Sequence, residues 1–177
     1  MLPVYDGGFI DMKKQYLTVG VNGLTDAAEF LGIDAKPTEE YKEFVNIILE
    51  TINKCNAEDR TRDTMFNCEF VPGENLSVKN YNWDKKDGYY VSPKHIMYSS
   101  YFFNPEDESL SVIDKMKLHG KEFVKYLDGG SANHTNLKEH LSFEQYRQLL
   151  KIAAKEGCNY FTFNVRNTVC NDCGYIS

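Results

Sequence analysis

Long apolar runs are missing from this 177-residue sequence, and no stretch approaches the roughly 18 residues that a membrane-spanning helix needs. The opening Met1-Leu2-Pro3-Val4-Tyr5-Asp6 has no basic region followed by an apolar run, so no secretory leader is expected and the chain reads as cytoplasmic. Excess positive charge is also missing. A net charge of −6 argues against gripping duplex nucleic acid by charge, while permitting a local basic pocket for phosphates. The five cysteines are an odd, irregularly spaced set, which suits reduced thiols rather than a disulfide frame. Repeats, low-complexity tracts and linkers are absent. One domain is expected, since a chain of this length buries roughly 70% of its unfolded surface.

What is present alternates between helical and strand signals, which indicates an α/β arrangement. Asn22 is a candidate cap for a short helix with Leu24, Ala27, Ala28 and Leu31 on one face and Gly32 as its stop. A stronger helix follows Pro37-Thr38. Its stripe is Tyr41, Phe44, Val45, Ile48 and Ile52, and Glu39, Glu40 and Glu43 favour the positive end of the helix dipole. Phe66 to Val71 reads as a strand ended by Pro72-Gly73. The Tyr-, Asn- and Ser-rich stretch from Asn80 to Pro105 is expected to be irregular. Leu110 to Tyr126 is expected to be one helix with Val112, Ile113, Met116 and Phe123 inward. Ser142 to Gln145 is a capping box, opening a helix with Tyr146, Leu149, Leu150, Ala153 and Ala154 that stops at Gly157. Tyr160 to Val165 alternates as a strand.

Three polar, glycine-containing turns interrupt this scaffold. Gly20-Val21-Asn22-Gly23 leads into the Leu24 helix, and an ordinary helix entry accounts for it as it stands. In the second, Val71 to Lys79, Gly73 permits close approach of a ligand, and the backbone N–H groups beyond it can face an anion. Ser77 adds a hydroxyl and Lys79 a positive charge. A plain strand-to-helix turn reads the same residues equally well, and neither a Walker A nor a Rossmann fingerprint is present. The third, Asp128-Gly129-Gly130-Ser131-Ala132-Asn133-His134, offers paired glycines and side-chain donors for a pocket, or a surface loop.

In order, "LTVGVNGLTDAAEFLGI", "FNCEFVPGENLSVKNY", "LDGGSANHTNL" and "CNYFTFNVRNTVCNDCGYI" resemble successive segments of the large subunit of the anaerobic, class III ribonucleotide reductases. The resemblance runs from Asp6 to the end, and covers only the C-terminal part of that longer enzyme. It implies a partial segment of a ten-stranded α/β barrel of the glycyl-radical enzyme type over residues 1–166. Residues 167–177 would be the first half of a zinc-binding ribbon. The activity implied is reduction of a ribonucleoside triphosphate to a deoxyribonucleotide. In such enzymes a cysteine thiyl radical on a finger loop abstracts the ribose 3′ hydrogen. A glycyl radical generates it, an iron–sulfur activase using S-adenosylmethionine installs that glycyl radical, and formate or a thiol system is the reductant. A closed, dry cavity protects such radicals.

Carried onto this sequence, the resemblance gives Pro72, Gly73, Glu74, Asn75, Leu76 and Ser77 the role of holding substrate phosphate, with help from Lys79. Gly129, Gly130 and Ser131, like Gly20, Asn22 and Gly23, would border the cavity. Cys170 and Cys173 match the first Cys-x-x-Cys of a four-cysteine zinc site. The finger-loop cysteine and the radical glycine are expected to lie outside this sequence, and Gly174-Tyr175 matches the zinc knuckle rather than the radical loop. Missing N-terminal and C-terminal reductase segments, the activase and, in the complete enzyme, a second subunit are the implied partners. The fragment alone is therefore expected to be inactive. A noncatalytic docking fragment and an independent nucleotide-binding module remain as alternatives.

The cysteines and histidines can also be read on their own chemistry. Cys68 and Cys158 fall in strand contexts and read as small core residues, with Cys55, at a helix end, structural or incidental. A thioredoxin-type pair needs a helix after it to lower a thiol pKa, and only Gly174, Tyr175, Ile176 and Ser177 follow Cys173. Zinc is the expected use of the pair, which supplies two of four ligands. His95, His119, His134 and His140 lack ribbon-like spacing to it and read as satisfied or solvent-facing.

Overall fold

A computed structural model describes residues 2–70, 73–105, 107–137, 139–165 and 172–173. Among the described residues four strands form two parallel pairs. Strand β1 (Tyr16–Val21) lies beside β2 (Met65–Phe70), with Tyr16 opposite Met65 and Val21 opposite Phe70. Strand β3 (Asn133–Leu137) lies beside β4 (Phe161–Val165), with Asn133 opposite Phe161. Among the described residues a parallel bridge between Glu69 and Gly130 links the pairs. Parallel neighbours need crossover connections, and helices supply them. A short α1 (Pro3–Asp6) precedes β1, then α2 (Leu24–Phe30) and α3 (Glu39–Asp59) lead to β2. After β2 come α4 (Glu74–Asp87), α5 (Val112–Leu118) and α6 (Lys121–Val124), and α7 (Phe143–Glu156) joins β3 to β4. The α/β class read from the sequence is thus present.

The long helix forms where its local signals place it. Thr38 Oγ1 accepts the Tyr41 N–H at 3.3 Å, Glu39 and Glu40 occupy the first turn, and Tyr41, Val45 and Leu49 are fully buried. Against that face sit Phe102 and Phe103, both fully buried although they belong to no helix or strand. The Tyr41 hydroxyl donates to the Phe102 carbonyl at 2.7 Å, and the Phe102 ring meets Phe70 edge-on at 4.5 Å. The core therefore joins α3, β2 and the irregular segment before α5.

Several expectations are corrected. Asn80 to Asp87 is helical, the second half of α4, which carries almost no apolar stripe and leaves Leu76 and Trp83 exposed. The helix expected over Leu110 to Tyr126 is two helices, interrupted at Gly120, whose backbone is extended and where a side chain would sit 2.8 Å from the Glu156 carbonyl oxygen at the end of α7. Ser111 and Asp114 close a capping box on the first of them, and Ile113 faces outward. On α2 the buried face is Leu24, Thr25, Asp26 and Ala28, whereas Ala27 and Leu31 are exposed. On α7 the Ser142 capping box and the Gly157 stop form as read, while Leu150 and Ala154 face outward. Strand β3 is polar yet half buried. Thr135 donates to Asn133 Oδ1 at 2.8 Å, and the Asn133 amide reaches the Lys115 carbonyl at 3.4 Å, so its buried groups satisfy one another.

Candidate functional site

The β1–β2 register makes both strands end at one level, with Val21 beside Phe70. Two of the turns read from the sequence leave from that level. Gly23 takes φ +76°, a left-handed conformation that a side chain disfavours, and its N–H donates to the Ser99 carbonyl at 2.8 Å. Asn22, just before it, donates through Nδ2 to Ser77 Oγ at 2.7 Å and to Ser100 Oγ at 2.8 Å. Gly73 precedes α4, and its N–H donates to the same Ser100 Oγ at 3.1 Å. A Cβ on Gly73 would lie 2.6 Å from Ser77 Oγ and 3.2 Å from Asn22 Nδ2, so the site closes only around glycine.

The electrostatics follow from α4. It runs for 14 residues and its N-cap, Gly73, provides no side-chain cap. First-turn N–H groups of a helix have no intrahelical acceptor, and the aligned peptide dipoles place partial positive charge there. Ser77 and Ser100 are buried, and Asn22 Oδ1 is buried without a hydrogen-bond partner among the described residues. Donors at a helix end thus stand beside one unused acceptor, an arrangement suited to a ligand that combines anionic oxygens with a hydroxyl.

The other expected site residues distribute unevenly. Asn75 and Leu76 are exposed on the first turn of α4, and Glu74 is the first residue of that helix. Lys79 is exposed and lies about 200° around the helix from Ser77, on its opposite flank. Pro72 lies outside the described residues. The Gly129 turn reaches the same end of β2 but spends its groups there. Gly129 N–H donates to the Cys68 carbonyl at 2.9 Å, Asp128 accepts the Cys68 N–H at 2.8 Å, and Gly130 is bridged to Glu69. A Cβ on Gly129 would meet Asn67 Nδ2 at 2.8 Å. Ser131 Oγ is 3.3 Å from His119 Nε2. Burial pushes the His119 imidazole down to about 4, so it is neutral near pH 7.

The thiols and the remaining histidines are read from their surroundings. Cys68 is fully buried, and burial first, then the Asp128 and Glu69 charges, push its thiol up to about 11. The Cys158 thiol donates to the Met116 carbonyl at 3.1 Å and burial raises it to about 11. Cys68 is a core residue of β2, as read from the sequence; Cys158 is only partly buried and follows α7 rather than lying in a strand, and Cys55 is exposed. His95 Nε2 sits 2.6 Å from Asp26 Oδ1, with Asn104 on its other nitrogen at 3.4 Å. Cys173 is exposed, and Cys170, with the rest of the expected zinc knuckle apart from Asp172, lies outside the described residues.

The residue that sequence reasoning missed is Ser100. It sits in a stretch without hydrophobic period or motif, so nothing local marks it.

The sequence model of the anaerobic ribonucleoside-triphosphate reductases matches residues 6–177. The chain belongs to that family. Solved structures agree: an anaerobic ribonucleotide reductase is similar at 28% identity with a TM-score of 0.81, over 99% of this chain and 28% of that one. The anaerobic ribonucleotide reductase from Thermotoga maritima, solved with MES in its active site, is 27% identical with a TM-score of 0.81. The same enzyme solved with glycerol in its active site is 27% identical with a TM-score of 0.82. Both cover 99% of this chain, which spans 30% of their length. No curated protein matches the chain. Within the reductase family, then, the Asn22–Gly73–Ser100 cluster sits where two adjacent parallel strands end, the side on which open α/β sheets place their ligands. Among the described residues no helix is long and apolar enough to cross a membrane.

Proposed function

We propose that this chain is part of the α/β barrel of an anaerobic ribonucleoside-triphosphate reductase, and that it holds the substrate's phosphates at the N-terminus of α4. The observation carrying this reading is the N-terminus of a 14-residue helix whose N-cap Gly73 gives no side-chain cap, beside Asn22 Oδ1, which is buried and without a hydrogen-bond partner among the described residues. Backbone N–H groups of Glu74, Asn75 and Leu76 are the donors to phosphate, as expected of an open helix end. Asn22 Oδ1 accepts from a hydroxyl of the same ligand. Gly129, Gly130 and Ser131 border the cavity by holding β2 in place. Titrating tripolyphosphate and a ribonucleoside triphosphate into the chain should shift the amide resonances of residues 74–76 and the Asn22 side-chain amide. Lys79→Glu, acting from the far flank, should weaken binding less than about threefold and only at low salt. Binding that leaves those amides unmoved would end this assignment.

Hydrogen abstraction is not assigned to any described cysteine. Cys68 is fully buried in the core and the Cys158 thiol is bonded to the Met116 carbonyl, and on this reading the thiyl radical is carried by a cysteine of another reductase segment, activated by an iron–sulfur enzyme that uses S-adenosylmethionine. The 177-residue chain with activase and formate should therefore make no deoxynucleotide; anaerobic product formation by the pure chain would refute this.

Cys170 and Cys173 are proposed as half of a zinc site. Two thiolates spaced as Cys-x-x-Cys fit zinc in kind but supply two of its four ligands, and the exposure of Cys173 leaves it open to thiolates from elsewhere. The chain should hold zinc tightly only where a second copy or a tail bearing another Cys-x-x-Cys completes the site, and Cys173→Ser should abolish that gain. One tightly bound zinc per monomer would contradict the half-site.

A further inference from the structure

The segment carrying Ser100 belongs to no helix or strand, yet it is tied down on both sides. After it, Phe102 and Phe103 are fully buried in the core, and Ser99 Oγ donates to the Phe103 carbonyl at 3.0 Å. Before it, the Tyr98 hydroxyl donates to Asp84 Oδ2 in α4 at 2.6 Å, and the Tyr98 ring lies 3.4 Å from the position of a Gly23 Cβ. Between these ties sits the Ser100 hydroxyl, which accepts from Asn22 Nδ2 at 2.8 Å and from the Gly73 N–H at 3.1 Å.

A serine oxygen has two lone pairs, and here Asn22 and Gly73 take both. The first donor belongs to the β1–α2 turn and the second to the entry of α4, segments 51 residues apart in the chain with no covalent reason to share an orientation. With both lone pairs engaged, the hydroxyl's remaining capacity is to donate its own proton, the polarity an anion requires. We propose that Ser100 is a positioning residue for the phosphate site: one hydroxyl sets the Asn22 amide and the α4 N-terminus in mutual register. This inference rests on the phosphate reading of that helix end.

The positioning role predicts a defined pattern in tripolyphosphate titrations of the full 177-residue chain. Ser100→Ala removes the shared acceptor and should weaken binding about tenfold, the equivalent of one hydrogen bond to a charged group. Ser100→Thr retains the hydroxyl and should recover affinity to within about threefold. Ser142→Ala, which removes the capping box of α7, should lower the melting temperature and leave affinity intact; this separates positioning from general destabilisation. In Ser100→Ala the Asn22 side-chain and Gly73 amide resonances should move before any ligand is added. If the parent chain binds no tripolyphosphate, the phosphate reading falls and this role with it. If the parent binds and Ser100→Ala binds as tightly, the positioning role alone is overturned. Should Ser100→Ala not fold, Ser100→Cys, a weak acceptor of similar size, decides between the same two results.

Discussion

Gly73→Val should cost the chain about 10-fold to about 100-fold in tripolyphosphate affinity while leaving most of the fold in place. The reason is steric rather than conformational. Gly73 has φ −83° and ψ 1°, which any residue can adopt, but the first carbon of a side chain would lie 2.6 Å from Ser77 Oγ and 3.2 Å from Asn22 Nδ2. Valine adds two methyl groups beyond that point. Overpacking of this kind costs roughly 1–3 kcal/mol, and when it displaces the groups that form the bound geometry the same energy appears in affinity at about tenfold per 1.4 kcal/mol. Gly73→Ala should show a smaller loss, because its single methyl crowds the Ser77 hydroxyl and the Asn22 amide without the further bulk that valine adds. Calorimetric titration of parent and variants, with circular dichroism to follow the helices, measures both effects. Retention of parental affinity in Gly73→Val would remove the α4 N-terminus from the site.

The second large effect is on stability against pH, and it comes from His119. Its side chain is almost fully buried beside the Phe102 ring, and burial brings the imidazole from 6.5 down to about 4, partly offset by hydrogen bonds at Ser131 and Tyr160. Above pH 6.5 the ring is neutral whether the chain is folded or not, and it contributes no pH dependence. Between pH 6.5 and about 4 the unfolded chain takes up a proton that the folded chain refuses, so stability falls as pH falls. Below about 4 both states are protonated and the loss, about 3 kcal/mol in all, is complete. Roughly 2 kcal/mol of it should have gone by pH 5. Urea unfolding at about pH 7.5 and about pH 5 should show the parent losing that much more than His119→Gln, which cannot titrate. Equal losses in the two chains would mean that His119 is protonated in the folded state.

The sequence by itself determined those parts of the molecule whose signals are local. Helix α3 could be read because its cap, its acidic first turn and its apolar stripe lie within one short window, and α7 because its capping box and its glycine stop bracket it. The turn glycines were legible as backbone positions that need freedom or close approach, and four ordered motifs were sufficient to point to the family. Helix α4 was half missed because it packs mainly through Ser77 and Tyr81 and has no stripe to reveal it. The strands β1 and β3 were missed because a parallel strand's burial is set by its neighbours: β1 is largely exposed among the described residues, and β3 buries Asn133 and Thr135 as a mutually bonded pair. The break at Gly120 lies against the end of α7, a close approach made by residues far along the chain. Tertiary structure alone decided the site. Asn22 and Ser100 meet across 78 residues and Gly73 and Ser100 across 27, and they do so because the β1–β2 register aligns two strand ends while burial of Phe102 and Phe103 holds the intervening segment over them. Hydrogen-bond donors and acceptors carry no record of such distant partners in their own sequence neighbourhood, so a hydroxyl like that of Ser100 becomes recognisable only once the core has placed it.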